Sequence, residues 1–179
     1  YTLVAVADHI LKQKKGNTVS NLSSTRALKD ITEKNGGNYF ASAVGEVNVV
    51  TKMKEKNAVI GGEGNGGVIY PDLHYGRDAL VGIALFLTHF AKMNLSMSKL
   101  KKSYPNYTIS KNKIELTPKT NIDELLKKSA NKYSDTEQNS IDGLKLDFEN
   151  EWAHLRKSNT EPIIRIHAES ENKDKAHAL

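Results

Sequence analysis

A glycine-rich heptapeptide, residues 61–67, is the first segment whose composition suggests a binding site. It has five glycines in seven positions and follows a short apolar segment that we interpret as a buried strand. Glycines let a backbone turn tightly and approach a ligand closely. Glu63 and Asn65 are the only side chains in this loop, and a carboxylate beside a carboxamide can hydrogen-bond paired sugar hydroxyls. The alternative is an ordinary β-hairpin turn, and neither the dinucleotide-binding nor the P-loop spacing is present.

A second segment, Arg-Lys-Ser-Asn-Thr-Glu-Pro at residues 156–162, combines groups that bind anions. Arg156 supplies a planar fork for phosphate oxygens, Ser158 and Thr160 supply hydroxyl donors, and successive backbone N–H groups in a turn can form an anion-binding nest. The alternative is a hydrophilic strand connection whose side chains satisfy their own backbone. Arg165, in the strand that follows, could be a structural ion-pair residue.

The segment at residues 71–78 leads into a long apolar helix and holds a histidine, an arginine and an aspartate. Asp78 is suited to the N-terminus of that helix, and Arg77 could pair with a nearby acid. His74 fits a surface loop better than a catalytic centre. The six histidines of the chain lack metal-binding spacing, there are no cysteines, and no Ser-His-Asp signature is present.

The charge balance is mildly basic, with 26 Lys plus Arg against 21 Asp plus Glu and a net charge of +5. A nucleic-acid surface is disfavoured because most lysines lie beside acids, as Lys128 does four residues after Glu124. No apolar run reaches the ~20 residues that cross a bilayer, since residues 79–95 are interrupted by polar groups. The sequence therefore predicts no nucleic-acid partner and no membrane span.

Short strands and helices alternate over the first half of the chain, which predicts a three-layer α/β domain with a mostly parallel sheet. Helices are predicted at 2–15, from about 24, at 47–56 and at 76–92, and strands at 18–22, 38–44, 58–61 and 68–70.

The pattern changes near residue 96, where serines, a proline and asparagines break the alternation. Extended segments then surround one helix that Asn121 can cap, and the last nine residues resemble the first turns of another helix. We expect a first domain at residues 1–96 and a small α+β domain with an antiparallel sheet at 97–179. The extended segments are 107–116, 141–148, 151–157 and 163–169.

Three motifs taken together resemble the α-D-phosphohexomutase superfamily, which comprises the phosphoglucosamine, phosphomannose and phosphoglucose mutases. They are the Gly-Gly-Glu-Gly-Asn-Gly-Gly loop at 61–67, Gly-Arg-Asp-Ala at 76–79 and Arg-Lys-Ser-Asn-Thr-Glu-Pro at 156–162. The resemblance covers essentially the whole chain and matches the third domain and most of the fourth domain of such an enzyme. It implies that the chain is a C-terminal part of a longer protein, most similar to the phosphoglucosamine or phosphomannose branch.

The resemblance also implies roles for individual residues. Glu63 and Asn65 would bind sugar hydroxyls, and the phosphate that is not being transferred would bind Arg156, Ser158, Asn159 and Thr160. Further candidates for these sites are Gly64, Gly66, His74, Arg77 and Arg165.

The family reaction implied is transfer of phosphate between the 6- and 1-hydroxyls of a hexose through a bisphosphorylated intermediate, in the cytoplasm. A phosphoserine and a Mg²⁺ loop would carry out the chemistry, with hexose 1,6-bisphosphate as activator. Neither of the corresponding motifs is in this sequence, so no catalytic or metal-binding residue is assigned here and the chain alone is expected to be inactive. The alternative function is a stand-alone phosphosugar- or anion-binding module.

Overall fold

The computed structural model describes residues 1–117, 120–158 and 161–179. The chain divides into two compact units, Tyr1–Asn106 and Tyr107–Leu179. The boundary expected after residue 96 lies ten residues before the end of the first unit at Asn106. It falls within a segment that packs as part of that unit.

The first unit has the predicted alternation of helices and strands, with most bounds within three residues of those expected. Its elements are α1 (Thr2–Leu11), β1 (Asn17–Asn21), α2 (Ala27–Lys34), β2 (Tyr39–Ser42), α3 (Glu46–Glu55), β3 (Ala58–Gly62), β4 (Val68–Ile69), α4 (Ala79–Met93) and α5 (Met97–Lys102).

A four-stranded sheet in the order β2-β1-β3-β4 forms the middle layer of this unit. β1 pairs in parallel with β2 and β3, and β4 returns antiparallel to β3. Val49 and Met53 of α3 are fully buried against Val19 of β1, whereas α1 packs against α2, β3 and α4. The predicted three-layer α/β fold with a mostly parallel sheet is confirmed.

The helix α5 is the main departure from the sequence expectation in this unit. Asn94 ends α4 in a left-handed conformation, and the Ser96 hydroxyl then accepts a hydrogen bond from the Lys99 backbone N–H, which starts α5. Leu100 is buried, and the hydroxyl of the buried Tyr104 bonds His89 at 2.7 Å. The serines that suggested a break in structure thus begin a helix that packs on the first unit.

The second unit contains an antiparallel sheet in the order β5-β9-β8-β7-β6, which confirms the predicted α+β class. Asn121 caps helix α6, and its side chain accepts from the Glu124 N–H as expected. Helix α6 contacts β7, while α7 contacts β5 and β9. The elements are β5 (Thr108–Glu115), α6 (Ile122–Lys132), β6 (Glu137–Asn139), β7 (Leu144–Asp147), β8 (Trp152–Lys157), β9 (Ile163–Ser170) and α7 (Lys173–Ala178).

No helix in the described part of the chain is long and apolar enough to span a bilayer.

Candidate functional site

The glycine-rich loop is a tight connection between β3 and β4. The Glu63 N–H donates to the Gly67 carbonyl at 2.9 Å, and the Gly66 N–H donates to the Glu63 carbonyl at 3.0 Å. Gly66 has a φ of +95°, a conformation that a residue with a side chain rarely adopts. The segment is therefore a hairpin turn, and its geometry brings Glu63 to the carboxyl edge of the parallel strands, where ligands bind in open α/β sheets.

Three hydrogen-bond donors surround the Glu63 side chain, which is only 7% exposed. Oε1 accepts from Asn21 Nδ2 at 2.9 Å and from the Gly45 backbone N–H at 3.3 Å. Oε2 accepts from Arg77 Nη1 at 3.2 Å. These neighbours match an ionised carboxylate, because such a group only accepts hydrogen bonds.

Arg77 joins two acids from different elements, as the sequence suggested for this residue. Its backbone N–H and Nε donate to the two oxygens of Glu46 at 2.8 and 2.9 Å, while Nη1 reaches Glu63. These bonds from Arg77 hold the pKa of the Glu46 carboxyl below its ordinary value. The Arg77 side chain is 44% exposed, so it lies between the buried Glu63 and solvent.

A pocket of about 470 Å³ lies beside this group of residues. It is lined by Glu46, Asn65, Gly66, Gly67, Arg77, Asp78 and Ala79. The Asn65 Oδ1 accepts from the Gly67 N–H at 3.0 Å, which leaves its Nδ2 as a donor. A second cavity of about 180 Å³ includes Gly64 and Glu63 in its lining. The larger pocket thus combines the carboxylate of Glu46 with the Asn65 carboxamide and the Arg77 guanidinium, groups that suit a ligand rich in hydroxyls, whereas Glu63 lines the smaller one.

His74 is not part of this group. It is exposed, and its Nε2 lies 3.0 Å from Asp78 Oδ2. Asp78 caps α4 as predicted, because its side chain accepts from the Val81 N–H at 3.0 Å. The Val81 N–H and then His74 lower the pKa of Asp78. These contacts give His74 a role at the start of the helix.

In the second unit, cationic side chains form a row across three adjacent strands. Lys113 of β5 is in register with Arg165 of β9, and Arg165 is in register with Arg156 of β8. Arg165 forms an ion pair with Glu161 at 2.5 Å, as one of the sequence interpretations proposed. Like charges directly opposite each other destabilise a sheet; Glu161 offsets this repulsion at Arg165, and an anion bound at the row would offset more of it.

Ser158 follows Arg156 at the end of β8. It is buried, and its N–H donates to the Ile163 carbonyl at 3.0 Å. Asn159 and Thr160, the other two residues predicted to bind phosphate, lie outside the described residues.

Sequence reasoning missed Asn21, Gly45 and Glu46, which contact Glu63 or Arg77 directly. A polar residue at the carboxyl end of a parallel strand is a usable signal for a ligand site, and Asn21 occupies that position. Glu46 carried no such signal, because its pairing with Arg77 joins residues 31 positions apart.

Within residues 1–117, 120–158 and 161–179, no group of three or more His, Asp or Glu side chains could hold a metal ion.

Comparison with known families accounts for nearly the whole chain. Residues 1–107 match the phosphoglucomutase/phosphomannomutase alpha/beta/alpha domain III, and residues 112–179 match the phosphoglucomutase/phosphomannomutase C-terminal domain.

Two relatives with phosphohexomutase names match most of this chain. The chain is 36% identical over 181 residues to a phosphoglucomutase/phosphomannomutase of Thermococcus kodakarensis, covering 98% of this chain and 39% of the relative. It is 35% identical over 163 residues to a phosphoglucosamine/phosphogalactosamine mutase of Sulfurisphaera tokodaii, covering 90% and 36%. The chain thus spans less than half the length of these relatives.

Among solved structures, a phosphoglucomutase/phosphomannomutase family protein of Burkholderia thailandensis shares the fold. The TM-score is 0.80 at 24% sequence identity, over 99% of this chain and 38% of that protein. Both matched domains, in their order along the chain, identify the polypeptide as a member of the phosphoglucomutase/phosphomannomutase family.

Proposed function

We propose that this chain is the sugar- and phosphate-binding part of a longer cytoplasmic phosphohexomutase. That enzyme would interconvert a hexose 6-phosphate and the corresponding hexose 1-phosphate through a bisphosphorylated intermediate. The substrate proposed is a glucosamine or mannose phosphate, since relatives named for phosphoglucosamine and phosphomannose mutases match the chain.

The observation that carries the proposal is the arrangement of donors around Glu63. Asn21 and Gly45 occupy Oε1, whereas Oε2 accepts only from the half-exposed Arg77 among the described residues. A sugar hydroxyl can donate to Oε2, and a neighbouring hydroxyl can accept from Arg77 or from Asn65 Nδ2. Glu63 and Asn65 would therefore hold paired hydroxyls, with Arg77 beside the carboxylate as a further donor.

The phosphate would bind in the second unit, on Arg156 and Ser158 together with Asn159 and Thr160. The row of Lys113, Arg165 and Arg156 supports an anion there, since these three cations face one another across the strands. A phosphate held at this site would stay bound while the other phosphate of a bisphosphorylated sugar is transferred.

The chemical step is assigned to residues outside this chain. A phosphoserine and a Mg²⁺ loop, as in the family resemblance, would supply phosphate and charge neutralisation, with hexose 1,6-bisphosphate as activator. The proposed role of the described residues of this chain is to bind and orient the substrate.

Replacement of Arg156 tests the phosphate site. Arg156→Ala should weaken binding of inorganic phosphate and of glucosamine 6-phosphate at least about tenfold, because a guanidinium contributes charge-assisted hydrogen bonds to phosphate. Isothermal titration calorimetry on the 179-residue chain measures both affinities.

Lys157→Ala is the matched control for that experiment. It removes an exposed positive charge at the next position of β8, where the side chain points to the opposite face of the sheet. Its phosphate affinity should stay within about twofold of wild type, as expected for an exposed charge. Equal phosphate binding by Arg156→Ala and wild type would exclude this assignment.

A further inference from the structure

We propose that Asn21 is a positioning residue for the sugar-binding carboxylate of Glu63. The inference rests on the proposed function, in which Glu63 accepts hydrogen bonds from substrate hydroxyls. In this role Asn21 does not touch the substrate. It holds Oε1 of Glu63 so that Oε2 faces the ligand.

The topology of the sheet explains why these two residues meet. β1 and β3 are neighbouring parallel strands, and Ser20 is in register with Gly62. Asn21 is the last residue of β1 and Glu63 directly follows β3, so both lie at the same carboxyl edge. Their side chains are 42 positions apart in sequence and both residues are about 5% exposed.

The orientation of the Asn21 amide is fixed by its other partners. Its oxygen, Oδ1, accepts from the Ser23 backbone N–H at 3.1 Å and from the Ser24 hydroxyl at 2.9 Å. Because a backbone N–H can only donate, the atom that faces it must be the amide oxygen. Nδ2 is then the atom 2.9 Å from Glu63 Oε1, and it can only donate.

The fixed orientation of the Asn21 amide also fixes the hydrogen bonding of the Glu63 carboxylate. Oε1 receives two donors that cannot reverse, Asn21 Nδ2 and the Gly45 N–H. Gly45 has a φ of +119° at the start of α3, where a side chain would be strained. The carboxylate is therefore held as an acceptor, with Oε2 the oxygen left for a hydroxyl. At Oε2 this arrangement favours ligand groups that donate hydrogen bonds and disfavours groups that only accept them.

Two substitutions separate a positioning role from a merely structural one. Asn21→Ala removes the donor to Oε1 and should weaken glucosamine 6-phosphate binding about tenfold, the usual scale for a lost hydrogen bond to a charged group. Asn21→Asp places a second carboxylate beside Glu63, and two buried carboxylates at this distance share a proton. Its affinity should rise as the pH is lowered from 8 to 5.5, relative to wild type at each pH.

The matched control is Asn17→Ala, at the opposite end of β1. Asn17 also uses its amide in the fold, donating to the Lys56 carbonyl at 2.8 Å, but it lies at the amino edge of the sheet. Asn17→Ala should lose stability without losing sugar-phosphate affinity. For Asn21→Ala and Asn21→Asp, binding of inorganic phosphate should match wild type, which shows that the second unit is unaffected.

The outcomes distinguish this inference from the function on which it rests. If Glu63→Gln binds glucosamine 6-phosphate as wild type does, the proposed sugar site itself is wrong. If Glu63→Gln loses binding while Asn21→Ala keeps it and Asn21→Asp shows the wild-type pH profile, only the positioning role of Asn21 is overturned. Weakened binding by Asn21→Ala, with the altered pH profile of Asn21→Asp, supports it.

Discussion

The residues proposed to bind sugar and those proposed to bind phosphate carry opposite charges. Glu63 is an acceptor-only group that attracts hydroxyl donors and repels a phosphate. Arg156 and Arg165 are donor-only groups in register on adjacent strands, and they attract a phosphate. In the proposed function, the charge of each residue therefore matches one part of a phosphorylated hexose, a hydroxyl at Glu63 and a phosphate at Arg156.

The cationic face of the second sheet also predicts a pH dependence of stability. Burial, followed by the charges of Lys111, His154, Arg156 and Arg165, lowers the pKa of His167 to about 4. An unfolded imidazole has a pKa of about 6.5. Between these values the unfolded chain binds a proton that the folded chain does not, so stability is complete above pH 6.5 and decreases as the pH falls toward 4.

Replacing His167 by Gln should flatten this decrease. We expect the free energy of unfolding of His167→Gln, measured by urea titration from pH 7 to pH 4, to depend less on pH than that of wild type. His177→Gln, at an exposed position of α7 in the same unit, should keep the wild-type slope. Identical pH profiles for His167→Gln and wild type would contradict the prediction.

At the scale of single elements, α6 is stabilised at its first turn by Asn121. The Asn121 Oδ1 accepts from the Glu124 N–H at 3.2 Å, which satisfies a backbone donor that the helix itself leaves unpaired. Asn121→Ala should cost about 1 kcal/mol of unfolding free energy, whereas Asn121→Asp should retain the cap. Urea unfolding followed by circular dichroism measures the difference.

A second asparagine in α6 serves as a control, because its replacement by alanine should not lower the free energy of unfolding. Asn131 is exposed inside α6, where alanine has the higher helix propensity, so Asn131→Ala should be neutral or stabilise by about 0.5 kcal/mol. A loss of stability by Asn131→Ala equal to that of Asn121→Ala would show that the cap is not the cause.

Helices and strands could be predicted from sequence where a cap residue or an apolar periodicity lies within the segment itself. Elements that lack such a pattern could not be predicted. The Asn121 cap and the apolar periodicity of α6 lie within one segment of the chain. In contrast, β6 (Glu137–Asn139) is a short, mostly exposed edge strand without an alternating apolar pattern. Two abutting helices interrupt an apolar periodicity as a loop does, so the sequence around Ser96 predicts a break where the structure begins α5.

The candidate site was only partly predictable for the same reason. Glu63 and Asn65 stood out because glycines surround them. Asn21 and Glu46 have ordinary sequence surroundings, and the fold brings them to Glu63 and Arg77 by pairing β1 with β3 and by placing the start of α3 beside Arg77. Such partners depend on strand register, which the sequence pattern does not specify.

At the scale of the whole molecule, the chain carries two domains of a family whose members are much longer. It spans 39% and 36% of the two relatives described above. The groups proposed to bind sugar lie in Tyr1–Asn106, and those proposed to bind phosphate lie in Tyr107–Leu179. Binding without catalysis is therefore the behaviour expected of the 179-residue chain.

This expectation leads to a direct comparison of binding with turnover. The chain, incubated with glucosamine 6-phosphate, Mg²⁺ and glucose 1,6-bisphosphate, should form no 1-phosphate detectable by ³¹P nuclear magnetic resonance, although calorimetry should show binding. The same polypeptide extended upstream to the length of its relatives should catalyse the interconversion, and Arg156→Ala in that longer protein should reduce it. Turnover by the short chain that Glu63→Gln abolishes would contradict the assignment of catalysis to other domains.

An upstream reading frame that encodes neither a phosphoserine segment nor a metal loop would instead favour a stand-alone binding module, because the chain would then have no partner for phosphate transfer.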